Sequence, residues 1–314
     1  MIEIHNEDCF VTMERMNPHS VDVVLTSPFY NTNKKAGKTR TLKNTKVADG
    51  QYDYVRYDSF VDDMTDDEYS DFTKRLFISF DKVLSPNGCV LYNINYGAEN
   101  TEGMFKAVNA VITETPFTIA DVIVWKKQTA LPNSCSSNRL TRIWEFVFVF
   151  CRRSEMKTFS CNKQVKSYRK TGQAAYENIF NLIEARNNDG SCPLNKATYS
   201  SELCEKLLSI YAKPGSVVYD PFMGSGTTAV ACMKMGFDCI GSEISAAQCE
   251  YARNRLVENR SSWLDALLIL DPYTKVKQSN YLPMTAKSSL TIGWSSSRIM
   301  KTKYSRSFTT MKKL

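Results

Sequence analysis

The chain is poor in histidine, with two in 314 residues, and none of its ten cysteines stands in a Cys-x-x-Cys pair. That excludes the common structural zinc patterns, which rest on such pairs. Long apolar runs are missing too. Val21–Leu25 and Phe146–Cys151 fall far short of the ~18 residues that a membrane span needs. Met1–Asp8 has neither the basic start nor the apolar stretch of a signal peptide. The cysteines are therefore expected to be reduced thiols in a cytoplasmic protein, not a disulfide framework. No internal repeat is visible. What is present is 43% hydrophobic and 23% charged residues. This composition excludes a disordered or fibrous chain and allows a sizeable core in one large domain or two smaller ones.

The formal charge is +7, and its distribution matters more than its total. Residues 261–314 hold nine Lys/Arg against two Asp/Glu, which accounts for the whole excess. The remainder is formally neutral but blocked. Lys34–Lys46 has six basic residues and no acid, Asp53–Asp71 has eight acids against Arg56 alone, and Arg152–Lys170 has seven basic residues against Glu155. Each block alone reads as a solvated loop. Two basic blocks flanking a chemical motif point instead to a polyanionic partner.

Short β-rich runs alternate with amphipathic helices, the pattern of an α/β fold. Strands are expected at Ile2–His5, Val21–Thr26, Gly88–Ile94, Ile119–Trp125, Trp144–Phe150, Ser216–Tyr219 and Asp238–Gly241. The clearest helix runs from Asp66 to Leu84, opened by a Thr65/Glu68 capping box and carrying Tyr69, Phe72, Leu76, Phe77, Phe80 and Leu84 at helical spacing. Further helices are expected at Ser201–Ala212, from Gly226 to Gly236, and at Ala246–Asn259. Asn31–Tyr57 reads as a mobile functional loop, and 275–314 as a weakly structured tail.

Two motifs carry the chemistry. Ser216–Val230 contains Asp220-Pro-Phe-Met-Gly-Ser-Gly-Thr-Thr228, which reads as a strand, a tight glycine turn and a helix start. Gly224 and Gly226 permit a sharp turn and close approach of a ligand to the backbone. Glu243 closes the next strand, seventeen residues after Gly226, where a carboxylate can accept hydrogen bonds from both hydroxyls of a ribose. This register suits an adenosine-containing cofactor and does not separate NAD from S-adenosylmethionine. Near the other end, the strand Val21–Thr26 stops at Ser27-Pro-Phe-Tyr30, immediately before the first basic block.

Together these residues resemble the DNA amino-methyltransferases that act on an exocyclic nitrogen. In that family a tetrapeptide (Asp/Asn/Ser)-Pro-Pro-(Tyr/Phe/Trp) is catalytic, and an Asp-Pro-Phe-x-Gly-Ser-Gly-Thr-Thr motif binds S-adenosylmethionine. Ser27–Tyr30 matches the first with Phe29 in place of Pro, and Asp220–Thr228 matches the second. The order, catalytic motif first, resembles the permuted β group. Asn6-Glu-Asp-Cys9, Val122-Ile-Val-Trp-Lys126 and Lys196–Leu203 resemble further family segments, with Ser200 where Pro is usual.

The resemblance implies a Rossmann-like methyltransferase fold, with a mostly parallel seven-stranded sheet, one antiparallel strand and circularly permuted motif order. It divides the chain into a catalytic half (1–153, including the loop 31–57), a candidate target-recognition region (154–195), a cofactor-binding half (196–260) and a basic tail (261–314). The implied activity is transfer of a methyl group from S-adenosylmethionine to N4 of cytosine in flipped-out DNA, Ser27 being commoner in the cytosine enzymes; N6 of adenine is the alternative. Ser27, Pro28, Phe29 and Tyr30 are the expected catalytic residues, with Ser27 Oγ and the Pro28 carbonyl accepting the amine protons and Tyr30 stacking on the base. Asp8, Cys9, Thr198, Asp220, Phe222, Gly224, Ser225, Gly226, Thr227, Thr228 and Glu243 are expected on the cofactor side, and no metal is expected.

A covalent cysteine mechanism is not expected, because the chain has no Pro-Cys dipeptide. Double-stranded DNA is the expected partner and a cognate restriction endonuclease a candidate one. Lys157, Lys163, Lys166, Arg169 and Lys170 are expected on phosphates, with Gln164, Gln173, Asn178 and Arg186 able to reach base edges. Two rival readings are an NAD-dependent oxidoreductase, from the glycine turn alone, and an inactive DNA-binding relative, from Phe29.

Overall fold

The computed structural model describes residues 1–31, 64–96, 100–130, 137–190, 192, 194–195 and 198–270, with residues 261–270 described for backbone only. All but the first residue of the loop 31–57, and all of 271–314, lie outside the described residues. Residues 1–270 form one compact unit.

In chain order the elements are β1 (Ile2–His5), α1 (Cys9–Arg15), β2 (Val21–Thr26), α2 (Asp66–Val83), β3 (Leu84–Ile94), α3 (Gly103–Glu114), β4 (Phe117–Lys127) and β5 (Trp144–Arg152). They continue with β6 (Val165–Tyr168), β7 (Ala174–Tyr176), β8 (Leu182–Ala185), α4 (Ser201–Tyr211), β9 (Val217–Asp220), α5 (Thr227–Met235), β10 (Asp238–Ser242) and α6 (Ala246–Leu270). Eight strands form one sheet in the order β1-β10-β9-β2-β3-β5-β4-β8. All neighbours are parallel except that β5 runs antiparallel to both β3 and β4. The single antiparallel strand is as expected. The eighth strand is β8, a four-residue edge within the candidate recognition region whose weak pattern the sequence reading missed.

Both faces of the sheet are covered, which explains why its strands are continuously apolar. Val24, Val90, Tyr92, Phe148 and Phe150 pack toward α1, α2 and α3. Val23, Leu25, Leu91, Val147 and Val149 face the opposite way, toward α4 and α5. The Thr65 capping box forms as expected: Glu68 N–H donates to Thr65 Oγ1 at 3.2 Å, and Thr65 N–H donates to Glu68 Oε2 at 2.8 Å. The helix stops at Val83, and β3 begins at Leu84 and takes in Pro86, Asn87 and Gly88. At the other end of the chain, α6 continues eleven residues past Asn259 to Leu270, so the compact unit reaches into the segment expected to be tail.

The sheet order places the two motifs side by side. From β9 the chain winds through α5 to β10 on one side, and from β2 through α2 to β3 on the other. β2 and β9 are adjacent, so the winding reverses between them, and a crevice opens at their carboxyl ends. Ser27–Tyr30 follows β2 and the glycine turn follows β9. Two segments nearly two hundred residues apart thus meet at one switch point.

Candidate active site

The turn after β9 is organised by Asp220, which is 1% exposed. Its Oδ1 accepts from Thr26 Oγ1 at 2.8 Å and from Phe222 N–H at 3.0 Å, while Oδ2 accepts from Tyr199 Oη at 3.3 Å and from Thr228 Oγ1. Burial raises the pKa of this carboxyl, and the hydrogen bonds from Thr228 and Thr26 oppose the rise. Asp220 therefore knots β2, β9, α5 and the segment before α4 together.

Gly224 and Gly226 take positive φ, +51° and +81°. A Cβ on Gly226 would lie 2.7 Å from Ala252 Cβ, so that glycine permits contact between α5 and α6. One on Gly224 would meet Asn195 Nδ2 at 3.2 Å, where space is already tight. Gly224 N–H donates to Glu243 Oε2 at 2.9 Å, and Ser245 N–H donates to Oε1 at 2.8 Å, which fixes the Glu243 carboxylate at the end of β10. Asn6, from the Asn-x-Asp-Cys segment, donates through Nδ2 to the carbonyls of Glu243 and Ile244 at 2.9 and 3.0 Å.

One pocket collects most of the expected residues. Asp8, Cys9, Thr198, Phe222, Gly224, Ser225, Thr227 and Glu243 line it together with Ser27 and Phe29. Asp220, Gly226, Thr228, Pro28 and Tyr30 do not. Asp220 and Thr228 instead bond each other, and Gly226 serves helix packing. The site residues expected from sequence leave out Phe72, Asn195, Tyr199, Pro221, Met223, Ile244 and Gln248, which complete the wall. Phe72 and Gln248 read from sequence as ordinary helix residues, whereas Pro221 and Met223 lie inside the glycine-turn motif and Tyr199 and Ile244 sit beside Thr198 and Glu243. The lining suits an adenosine group: a fixed carboxylate for vicinal hydroxyls, Phe222 and Ile244 for a flat apolar face, and a side-chain-free backbone at Gly224.

Cys9 is 5% exposed, and burial first, then the neighbouring Asp8, pushes its thiol up to about 12. It is a neutral wall residue at ordinary pH. Phe29 is also buried, and its ring centroid lies 5.4 Å from that of Tyr69, 5.1 Å from Phe72 and 6.1 Å from Phe222. Tyr69 Oη donates to the Phe29 carbonyl at 2.6 Å. The residue that departs from the family's Pro therefore packs the wall between the two motifs. Tyr30 is held through its hydroxyl, which lies 3.1 Å from Ser27 Oγ and 2.9 Å from Glu145 Oε2.

Outside the pocket, β6 and β7 form a separate two-stranded hairpin. Lys157, Lys163, Lys166, Arg169 and Lys170 are all exposed, as are Tyr168 and Phe180. The first two basic residues of the block behave differently. Arg152 donates to the carbonyls of Asp81, Leu84 and Ser85 and pairs with Asp81, closing the end of α2. Arg153 donates to the carbonyls of Ile112 and Phe117. Arg186 is tied to Glu202 at 3.3 Å. Among the described residues no helix is long and apolar enough to cross a membrane.

A family model for N6/N4 methyltransferases, described as DNA methylase, matches residues 21–254. The chain is similar to the type II methyltransferase M2.DpnII of Streptococcus pneumoniae, with 25% identity over 273 residues covering 83% of this chain and 92% of that one. It is also 31% identical to the type II methyltransferase M.Cfr9I of Citrobacter freundii over 134 residues, 43% of each chain. Among solved structures, the cytosine-N4-specific PvuII DNA methyltransferase superposes with a TM-score of 0.58 at 15% identity, covering 84% of this chain and 93% of that one. A putative DNA modification methylase from Thermus thermophilus, complexed with S-adenosyl-L-methionine, gives 0.52 at 16% identity over 82% and 94%. These two likenesses speak to the fold.

Proposed function

The chain belongs to the N6/N4 family of DNA methylases, and on that premise we propose that it methylates N4 of cytosine in a base flipped out of duplex DNA. As a member of the family it is an S-adenosylmethionine-dependent DNA amino-methyltransferase. The observation that supports methyl transfer at this site is that Ser27 and the glycine turn line one pocket at the carboxyl ends of adjacent strands.

When bound, S-adenosylmethionine supplies an electrophilic methyl group on a cationic sulfur. Glu243 is assigned to the ribose hydroxyls, and Phe222 and Ile244 to the adenine. An exocyclic amine conjugated with its ring is a weak nucleophile, because its lone pair lies in the ring's π system. Ser27 Oγ and the Pro28 carbonyl accept hydrogen bonds from its two N–H groups, turn the lone pair out of conjugation and stabilise the nitrogen as it gains positive charge. The base must leave the duplex first, at a cost of a few kcal/mol. Phe29, at the pocket wall, offers an apolar surface to it. A Ser in the first position, commoner in the cytosine enzymes, favours N4 over N6 of adenine. The exposed basic side chains of the β6–β7 hairpin and its flanks are assigned to DNA phosphates.

The test is transfer of tritium from S-adenosyl-[methyl-³H]methionine to genomic DNA from a methylation-free host, followed by nucleoside mass spectrometry. N4-methyldeoxycytidine is the expected product. N6-methyldeoxyadenosine would move the target to adenine. No transfer, despite binding of S-adenosylhomocysteine, would identify an inactive relative.

A further inference from the structure

β5 runs against its neighbours, so its first residues lie at the edge of the sheet where β2 and β3 end. This brings Glu145, near the start of β5, beside Asn93 and Tyr30. Glu145 is 12% exposed and ion-paired through Oε1 with Lys127 on β4. Lys127 is itself held over the Trp125 ring at 4.9 Å. The surrounding sequence, Trp144-Glu-Phe-Val-Phe-Val-Phe150, is otherwise uncharged and aromatic-rich, so the acid stands out against its strand.

Tyr30 Oη faces three oxygens: Glu145 Oε2 at 2.9 Å, Ser27 Oγ at 3.1 Å and Asn93 Oδ1 at 3.2 Å. The Asn93 amide has its orientation set, because Nδ2 donates to the Phe146 carbonyl at 2.9 Å. A phenol has one proton, and an ionised carboxylate is the strongest acceptor of the three. With that proton on the Glu145 side, the phenol oxygen accepts from Ser27, whose O–H then points away from the pocket. The remaining lone pairs of Ser27 Oγ face the pocket it lines. Without the carboxylate, Tyr30 could donate to Ser27, and the serine proton would be free to turn toward the amine and oppose it.

We propose that Glu145 is a positioning residue for the reaction proposed above, on which this inference rests, and the end point of a proton relay through Tyr30 and Ser27. The amine nitrogen forms a bond to the methyl carbon as the carbon–sulfur bond breaks, and that electron pair stays on sulfur as a thioether. The nitrogen, now cationic, gives a proton to Ser27 Oγ, Ser27 gives its own to Tyr30 Oη, and Tyr30 gives its own to the Glu145 carboxylate. The net change is one proton from nitrogen to Glu145, which returns it to solvent.

The test is single-turnover tritium transfer by the full chain to unmethylated genomic DNA. Glu145→Gln keeps size and removes the charge, and Tyr30→Phe keeps the ring and removes the relay. Each should lower the rate ~10²-fold, the lower end for general acid–base catalysis. Affinity for S-adenosylhomocysteine should stay within about twofold, as for an interaction made only in the transition state. In a Ser27→Ala background, Glu145→Gln should have no further effect, because the relay acts only through that hydroxyl. A wild-type rate in Glu145→Gln, a parallel loss of S-adenosylhomocysteine binding, or an undiminished loss in the Ser27→Ala background would each overturn the proposal. An inactive wild-type chain that still binds S-adenosylhomocysteine would remove the parent reading, and this inference with it.

Discussion

The backbone N–H of Gly224 donates to Glu243 Oε2 at 2.9 Å, joining the turn after β9 to the end of β10. One carboxylate therefore both holds the glycine turn and faces the pocket. Glu243→Ala should weaken S-adenosylhomocysteine binding ~10- to 100-fold, the range for losing hydrogen bonds to a charged group. Isothermal calorimetry checks this. Unchanged affinity would show that the ribose lies elsewhere.

Gly226 is expected from its motif to serve the cofactor, and its place against Ala252 gives it a packing role as well. Gly226→Ala puts a Cβ at positive φ and into a 2.7 Å contact. It should destabilise the fold by at least ~1–3 kcal/mol. Thermal unfolding should record this as about 2–4 °C per kcal/mol. Loss of cofactor affinity at an unchanged Tm would show that Gly226 serves the cofactor and not the packing.

Cys9 lines the pocket yet should be inert. Burial raises its folded-state pKa to about 12, so the fold favours the neutral thiol. An unfolded thiol ionises near ~8.5. The stabilisation from keeping Cys9 protonated is thus complete below that pH and is lost as pH rises toward 12. Iodoacetamide at pH 8, read by peptide mass spectrometry, should leave Cys9 unmodified in the native chain and label it in urea. Rapid native labelling would contradict its burial.

The basic block from Arg152 to Lys170 should split into two functions. Lys166→Gln, Arg169→Gln and Lys170→Gln together should reduce the salt dependence of duplex DNA binding by up to ~0.9 in slope per lost phosphate contact. Arg152→Gln should leave that slope alone and lower Tm, because its guanidinium closes the end of α2. Fluorescence anisotropy across a salt series, with melting curves, separates the two. Equal slopes for both variants would remove the hairpin from the DNA surface.

Long, strongly patterned elements were legible in the sequence. β2, α2 and β5 each carry a two-sided apolar run or a helical stripe that permits only one reading. α1 and α3 were missed: α1 is a single short stretch after Asp8, and Glu102, the residue before α3, makes no side-chain cap hydrogen bond. The two motifs pointed to residues that meet, since Ser27 and Glu243 line one pocket. Motif matching could not distinguish residues that line the pocket from those that hold its frame, because Asp220 and Thr228 do their work through each other. It also could not find Glu145, whose significance depends on a strand direction that no local pattern encodes.

The central claim is amino methylation of a flipped base at Ser27. Its most direct test is modification-sensitive sequencing of DNA from a methylation-free host expressing either the wild-type chain or Ser27→Ala. The account predicts N4-methylcytosine confined to one short motif with the wild-type chain, and none or a trace with the variant. Unmodified DNA from the wild-type strain, or 5-methylcytosine in place of an amino-methylated base, would contradict it.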